Sequence, residues 1–143
     1  MTIRFFFDGT DFRLSHQRKI SQWLQKVAAR ENRKTGALCY VFVSDRRILE
    51  LNRQFLHHDD YTDIITFDNS TEKEISGEMY ISIDTVRKNA KRYRTGFDNE
   101  LLRVMVHGIL HLCGYNDKTT RERQVMRAME DDSLLLLPDK STF

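Results

Sequence analysis

Residues 107–117 read HGILHLCGYND, and this stretch decides how the rest of the chain is interpreted. His107 and His111 are four positions apart, which places them one turn apart on the same face of a helix. Gly114 favours a reversal of the chain at the helix end, because glycine tolerates the left-handed conformation found there. Asp117 follows at a spacing from which its carboxylate can return toward both imidazoles. The pattern therefore predicts a divalent metal site with His107, His111 and Asp117 as ligands.

The helix that carries the two histidines is predicted to begin at Asp98 and to be apolar around most of its circumference. Its apolar residues are Leu101, Leu102, Val104, Met105, Val106, Ile109, Leu110 and Leu112. A helix of this kind is buried in the middle of a domain. One polar face remains, and it carries Glu100, Arg103, His107 and His111. Because unpaired imidazoles in an apolar setting cost free energy, this face favours a metal site on a buried helix near the C-terminal end.

Three protein ligands leave one coordination position for water, which is typical of a hydrolytic zinc site. A bound divalent ion lowers the pKa of that water toward about 7. The predicted cofactor is one Zn²⁺ per chain, and no catalytic side chain is assigned beyond the water on the ion.

Outward from this helix, the chain alternates between strands and helices early and is helical late. Strands are predicted at residues 3–7, 38–43, 62–67 and 75–83. Helices are predicted at 15–32, 46–55, 84–95, 98–112 and 119 onward, with N-caps at Ser15, Ser44, Asp84 and Thr119. Gly36 is expected to end the first helix. The predicted fold is a single α+β domain over residues 1–143, with a small mixed four-stranded sheet packed against about five helices.

Composition excludes several classes of protein. The 143 residues are 40% hydrophobic and 31% charged, which fits a globular domain with a core and argues against disorder. No apolar run approaches the ~20 residues of a membrane helix. The N-terminus has no signal peptide pattern, so a cytoplasmic location is expected. Cys39 and Cys113 are too few for a disulfide framework and are interpreted as small hydrophobic residues.

The net charge of +2 is unevenly distributed. Residues 13–34 contain seven basic residues and one acidic residue, and residues 87–94 contain five basic residues and no acidic one. A positive surface of this kind suits a polyanion such as RNA. The candidate phosphate contacts are the basic residues of 13–34 and 87–94. The RNA-binding candidates singled out are Arg53, Arg87, Lys88, Lys91 and Arg92. The alternative interpretation is a solvated helix face, which charge alone favours.

The ligand offsets also match a metalloprotease with the pattern H-E-x-x-H-x-x-G-x-x-H. In that class the residue after the first histidine is the glutamate that acts as general base. Gly108 occupies this position and has no side chain to accept a proton. A metal-dependent peptidase or other hydrolase therefore remains only as an alternative.

The chain resembles the YbeY family of bacterial metallo-endoribonucleases, also called rRNA maturation factors, whose hallmark is H-G-x-L-H-L-x-G-Y-D-H. Seven positions match, namely His107, Gly108, Leu110, His111, Leu112, Gly114 and Tyr115. Upstream, Leu51-Asn52 and residues 62–67 are similar to the family's L-N and T-D-V-L-S-F segments. Residues 77–82 are similar to its G-D-I-x-I-S strand, and Glu100-Leu101 precedes the metal helix as in the family. The resemblance covers residues 41–129.

The resemblance implies a zinc-dependent endoribonuclease specific for single-stranded RNA. It implies a role in ribosomal RNA processing, at the 3′ end of the small-subunit RNA, and in ribosome quality control. The implied partners are ribosomal RNA and the ribosome, with no membrane and no DNA specificity. Tyr61 and Phe67 are candidates for stacking on bases, although core packing is the more common role of such residues.

Two positions depart from the family pattern. Asp117 stands where the family usually has its third histidine, and carboxylate oxygen is also a normal zinc ligand. Leu56 stands where the family usually has an arginine, and Arg53, His57 and His58 are nearby candidates to replace it. Without that arginine, a ribosome-associated binding factor with a structural metal is a second alternative.

Overall fold

The computed structural model of the chain describes residues 3–57 and 62–138. Its strands are β1 (Arg4–Asp8), β2 (Lys34–Val43), β3 (Ile64–Asp68) and β4 (Glu74–Ser82). Its α-helices are α1 (Gln17–Arg30), α2 (Asp45–Leu51), α3 (Ile83–Arg92), α4 (Phe97–Leu112) and α5 (Thr120–Leu134). A π-helical turn (Asn52–Leu56) follows α2 directly. No helix in these two ranges is long and apolar enough to cross a membrane.

The strands form one sheet in the order β1-β2-β4-β3. β1 is parallel to β2 and β2 is parallel to β4, whereas β3 is antiparallel to β4. One face of the sheet packs against α1 and α4, and α2 lies on the other face, over Val43 and Ile65. The predicted α+β class, with a mixed four-stranded sheet and about five helices, is thereby confirmed.

The predicted limits of the first helix are wrong at both ends. Ser15 is not its cap, because the residue before α1 is His16, in the left-handed conformation (φ 59°) and without a capping side chain. Gly36 does not end the helix, since it lies within β2. The reversal occurs at Asn32 (φ 58°), because asparagine also tolerates the left-handed region.

Two predicted N-caps are confirmed, because in each the side chain accepts a hydrogen bond from a backbone N–H in the first turn of the helix. Ser44 accepts a hydrogen bond from the N–H of Arg47, and Thr119 forms the predicted capping box with Glu122. Asp84 is not the cap of α3, because Ser82 caps that helix. Asp84 instead accepts a hydrogen bond from the backbone N–H of Asp45 at 2.8 Å. The helix predicted to begin at Asp98 begins at Phe97.

Phe55 and Val125 fit the apolar stripes of their predicted helices, which would turn both toward the core, but both are exposed. Phe55 is 52% exposed, because the π-helical turn changes the helical phase after Leu51. Val125 is 43% exposed, because α5 turns a different stripe toward the core. That stripe consists of Met126, Glu130, Ser133 and Leu134.

α4 is fixed at the centre of the domain by its neighbours. The buried hydroxyl of Tyr40 in β2 donates a hydrogen bond to the carbonyl oxygen of Met105 at 2.6 Å. On the other side, the indole N–H of Trp23 in α1 donates to the carbonyl oxygen of Ser133 in α5 at 2.8 Å. The first bond ties α4 to the sheet, and the second joins α1 to α5, the two helices that pack against α4. This packing fixes the positions from which the polar face of α4 projects.

Gly77 allows β3 and β4 to approach closely. Its φ is +152°, and a β-carbon at this position would overlap the backbone carbonyl oxygen of Phe67. We expect Gly77→Ala to lower the free energy of unfolding by about 2–3 kcal/mol, because neither backbone can shift without breaking the strand pairing. Urea denaturation measures the loss. Gly96→Ala is the control, since no atom lies within 4 Å of its β-carbon. Equal losses in the two variants would contradict the prediction.

Candidate metal centre

His107 lies between two carboxylates, one on each ring nitrogen. Its Nδ1 is 2.7 Å from Glu130 Oε2, and its Nε2 is 3.3 Å from Asp117 Oδ2. An ionised carboxylate can only accept, so the short contact to Glu130 places the proton on Nδ1. In the neutral ring, Nε2 then carries a lone pair directed toward Asp117. This is the tautomer that a metal-binding histidine requires.

His111 is held in the same tautomer by a different acceptor. Its Nδ1 lies 3.2 Å from the backbone carbonyl oxygen of Tyr115, which has no hydrogen to donate. Nδ1 therefore donates, and the lone pair of the neutral ring is on Nε2. Tyr115 is itself fixed, because its hydroxyl donates to Glu31 Oε1 at 2.8 Å. The loop after α4 thus orients the second histidine as well as carrying Asp117.

The separation of His107 and Asp117 fits a shared zinc ion. Tetrahedral zinc with bonds of about 2.0–2.1 Å places neighbouring ligand atoms about 3.4 Å apart. The observed distance between Nε2 and Oδ2 is 3.3 Å. Across residues 3–57 and 62–138, however, no three His, Cys, Asp or Glu side chains stand close enough together to form a complete ligand set. The structure brings His107 and Asp117 together, and the participation of His111 stays a prediction.

Glu130 connects the candidate site to α5 through a network that sequence reasoning missed. Arg103 donates to Glu130 Oε1 at 2.9 Å and to Asp131 Oδ1 at 2.6 Å. Glu130 is only 6% exposed. We call Arg103, Glu130, His107 and Asp117 the histidine network. The sequence holds only a partial signal, because Glu130 is four positions from the apolar residues Met126 and Leu134, which predicts a shared helix face but not the contact with His107.

The charges around His107 control its protonation. Burial by itself lowers the pKa of this imidazole, but the hydrogen bond and charge of Glu130, with the charges of Asp63 and Asp117, outweigh burial and raise the pKa. Burial also raises the pKa of Asp63. The cluster of carboxylates therefore favours positive charge at the His107 ring, whether a proton or a metal cation supplies it.

Gly108 faces the sheet and not the candidate site. A β-carbon there would lie 2.6 Å from Met79 Sδ and 3.0 Å from Ile64 Cδ1. A glutamate at this position would project into the core between α4 and β4. The base of the metalloprotease pattern is therefore missing for a steric reason, and the peptidase alternative is weakened further.

The four basic candidates on α3 are all exposed, but their charges are engaged differently. Lys88 Nζ forms an ion pair with Asp45 Oδ2 at 2.9 Å. The guanidinium of Arg87 lies over the ring of Phe97 at 5.5 Å, and that of Arg92 lies near the ring of Tyr93 at 5.7 Å. Lys91 is exposed at the same end of the helix as Arg92. The C-terminal half of α3 is therefore the part with accessible positive charge.

The segment expected to hold the family's arginine lies in the π-helical turn. Leu56 is 43% exposed, Arg53 is exposed in the same turn, and His57 follows in the left-handed conformation (φ 55°). Phe67 is half-buried between the rings of Phe55 and Tyr80, so its role is packing on the sheet. His58 and Tyr61 lie outside the described residues.

The family model and the curated relatives agree on one family. The model of the family described as Endoribonuclease YbeY matches residues 8–137. A curated relative of that description from Parabacteroides distasonis is 45% identical and covers 98% of this chain and 99% of its own length. One from Cytophaga hutchinsonii is 49% identical, with 94% and 95% covered. A solution structure from Thermotoga maritima is similar with a TM-score of 0.67 at 28% identity, over 94% of this chain and 88% of that one.

Proposed function

The chain belongs to the Endoribonuclease YbeY family, and from that membership we propose that it is a zinc-dependent endoribonuclease specific for single-stranded RNA. We place its activity in the cytoplasm, in ribosomal RNA processing at the 3′ end of the small-subunit RNA, and in ribosome quality control. The observation that carries the zinc proposal is His107, whose Nδ1 is held by buried Glu130 while Nε2 faces Asp117 at 3.3 Å.

His107, His111 and Asp117 would hold the ion. When bound, Zn²⁺ supplies Lewis acidity, which polarises a phosphoryl oxygen and makes water more acidic. The chain contributes the rest. Glu130 and the carbonyl of Tyr115 keep the protons of both imidazoles on Nδ1. Arg103 compensates the buried charge of Glu130. Asp117 adds a negative charge, which stabilises a cation more strongly than a third neutral imidazole does.

Asp117→Asn tests the third ligand. The substitution keeps the size of the side chain and removes its charge, so we expect zinc affinity to fall while the fold is unaffected, since Asp117 is 45% exposed. Competition with a chelator of known affinity measures the loss. Asp132→Asn, a neutralised exposed carboxylate on α5, is the control. Unchanged zinc affinity in Asp117→Asn would show that the third ligand lies elsewhere.

Lys91 and Arg92 on α3 are the proposed phosphate contacts with the most accessible charge. We expect the double variant Lys91→Glu and Arg92→Glu to weaken RNA binding and to reduce the slope of log affinity against log salt by about 1 for each phosphate that the protein no longer neutralises. Zinc content should stay unchanged. Lys73→Glu makes a charge reversal in the turn between β3 and β4 and serves as the control. RNA affinity that survives the double variant would favour a solvated helix face.

The decisive experiment compares metal-free and zinc-restored protein on a single-stranded RNA that contains the 3′ end of the small-subunit RNA. Cleavage that requires zinc, and that is lost when a complementary strand is annealed, supports the proposal. Casein serves as the peptidase control substrate. Zinc-loaded protein that binds ribosomes but cuts no RNA would favour the binding factor, the candidate supported by Leu56 in place of the family's arginine.

A further inference from the structure

A polar cavity of about 190 Å³ adjoins His107 and is lined by residues of α3, α4 and α5 and by Asp63, just before β3. Three carboxylates line it, those of Asp63, Glu100 and Glu130, and the other polar side chains of the wall are Asn89, Tyr93, Arg103, His107 and Arg127. The cavity has room for several water molecules, or for the edge of one planar ring system. Since His107 forms part of its wall, a ligand in the cavity would lie beside the candidate metal centre.

Glu100 is a largely buried carboxylate on the polar face of α4. It is only 6% exposed, and within the described residues its carboxylate accepts no hydrogen bond and makes no ion pair. Burial raises the pKa of Glu100 because the charged form is poorly solvated, although the charges of Arg103 and Arg127 oppose this. Its oxygens are not sealed in the core but open onto the cavity, where a ligand with N–H donors can reach them.

The other groups of the cavity define what such a ligand must present. Arg127 is exposed at the wall and offers only donors, while Asn89 offers both a donor and an acceptor. Tyr93 is 55% exposed at the mouth, where its ring can stack on a planar group. Arg103 is not available, because Glu130 and Asp131 engage its guanidinium. The ligand therefore needs adjacent donors facing Glu100, acceptors facing Arg127, and a flat surface.

We propose that this cavity binds a guanine base of single-stranded RNA next to the scissile phosphate, with Glu100 as the residue that determines specificity. Guanine is the RNA base with two neighbouring N–H donors, N1–H and N2–H, on its Watson–Crick edge, and a carboxylate accepts both. Its O6 and N7 are acceptors that suit arginine. Base pairing covers the Watson–Crick edge, so the same contact excludes a double-stranded substrate.

The guanine subsite rests on the proposed endoribonuclease function. The experiment gives different results if the subsite alone is wrong and if the enzyme function is wrong. Oligouridine carrying one central guanosine, inosine or adenosine is titrated into metal-free protein, and fluorescence anisotropy measures binding. We expect guanosine to bind about 10- to 100-fold more tightly than adenosine. Inosine, which lacks N2–H, should fall between them. This comparison uses the unmodified protein, so it does not depend on whether a variant folds.

Glu100→Gln should abolish the preference for guanosine, because an amide presents an N–H to the donors of guanine. Asp98→Asn, an exposed carboxylate on the same helix, should retain it. Zinc-restored protein should cut beside guanosine, and Glu100→Gln should cut without base preference. Equal binding of the three oligonucleotides, or a preference that survives in Glu100→Gln, overturns the subsite while RNA cleavage still supports the enzyme. RNA that is neither bound nor cut overturns both.

Discussion

Replacement of either His107 or His111 by alanine is expected to abolish zinc binding at physiological concentrations and RNA cleavage with it. Structural zinc sites with four ligands contribute about 10–16 kcal/mol, so one ligand is worth roughly 3 kcal/mol, or about 100-fold in affinity. A site with three protein ligands starts with a lower zinc affinity than a four-ligand site, and the two ligands that remain after the substitution hold zinc poorly. Elemental analysis should find about one zinc per wild-type chain and close to none in either variant.

His16→Asn is the matched control for both histidine variants. His16 lies before α1 in the left-handed conformation, which asparagine tolerates. The residues of α4 that share a cavity with it are Asp98, Leu101 and Leu102, at the opposite end of that helix from His111. Circular dichroism should show that all three variants keep their helices, because His107 and His111 are partly exposed at the edge of the core. Full zinc content in His111→Ala would remove that residue from the ligand set. Full zinc content in both variants would refute the site.

Glu130→Gln is expected to lower zinc affinity by about 10- to 100-fold, although Glu130 is not a proposed ligand. Arg103 offers only donors, so the amide of glutamine turns its oxygen toward Arg103 and its nitrogen toward His107. Nδ1 of His107 must then accept, which moves the imidazole proton to Nε2. The atom that faces Asp117 can no longer bind a metal ion without losing that proton. Isothermal titration with zinc measures the change.

Asp131→Asn separates orientation of the imidazole from general loss of charge on α5. Asp131 accepts from the same arginine at 2.6 Å but does not touch His107. We therefore expect nearly normal zinc affinity in Asp131→Asn. Glu130→Asp provides a further comparison, because it keeps the charge and shortens the reach to His107. Equal zinc affinities in the wild type and Glu130→Gln would mean that the histidine network does not control the tautomer.

Features with short-range causes could be predicted from the sequence. The capping box of Thr119 and Glu122 uses two side chains three positions apart, and both hydrogen bonds are present. The apolar periodicity of α4 predicts its central position. The shared face of His107 and His111 is also predictable, since four residues correspond to about one helical turn. Each of these features depends on residues within a single element.

Features with long-range causes could not be predicted in this way. Glu130 reaches His107 from another helix, and the cavity at Glu100 is closed by α3 and α5. The packing of Gly108 depends on Met79 in β4, so the sequence shows a missing base but not the reason for it. Local signals favour Gly36 over Asn32 for the left-handed turn, because glycine is the stronger of the two. They do not show that the chain between these residues pairs with β4.

Because Trp23 is hydrogen-bonded to Ser133, its intrinsic fluorescence reports on the contact between α1 and α5. Trp23 is the one tryptophan of the sequence, so all indole emission comes from the junction of α1 and α5. Its ring is 2% exposed, and exposure to water would shift the emission to longer wavelength. Ser133 is one helical turn beyond Glu130. Detachment of α5 would therefore shift the emission maximum of Trp23 to longer wavelength, without any label near the metal site.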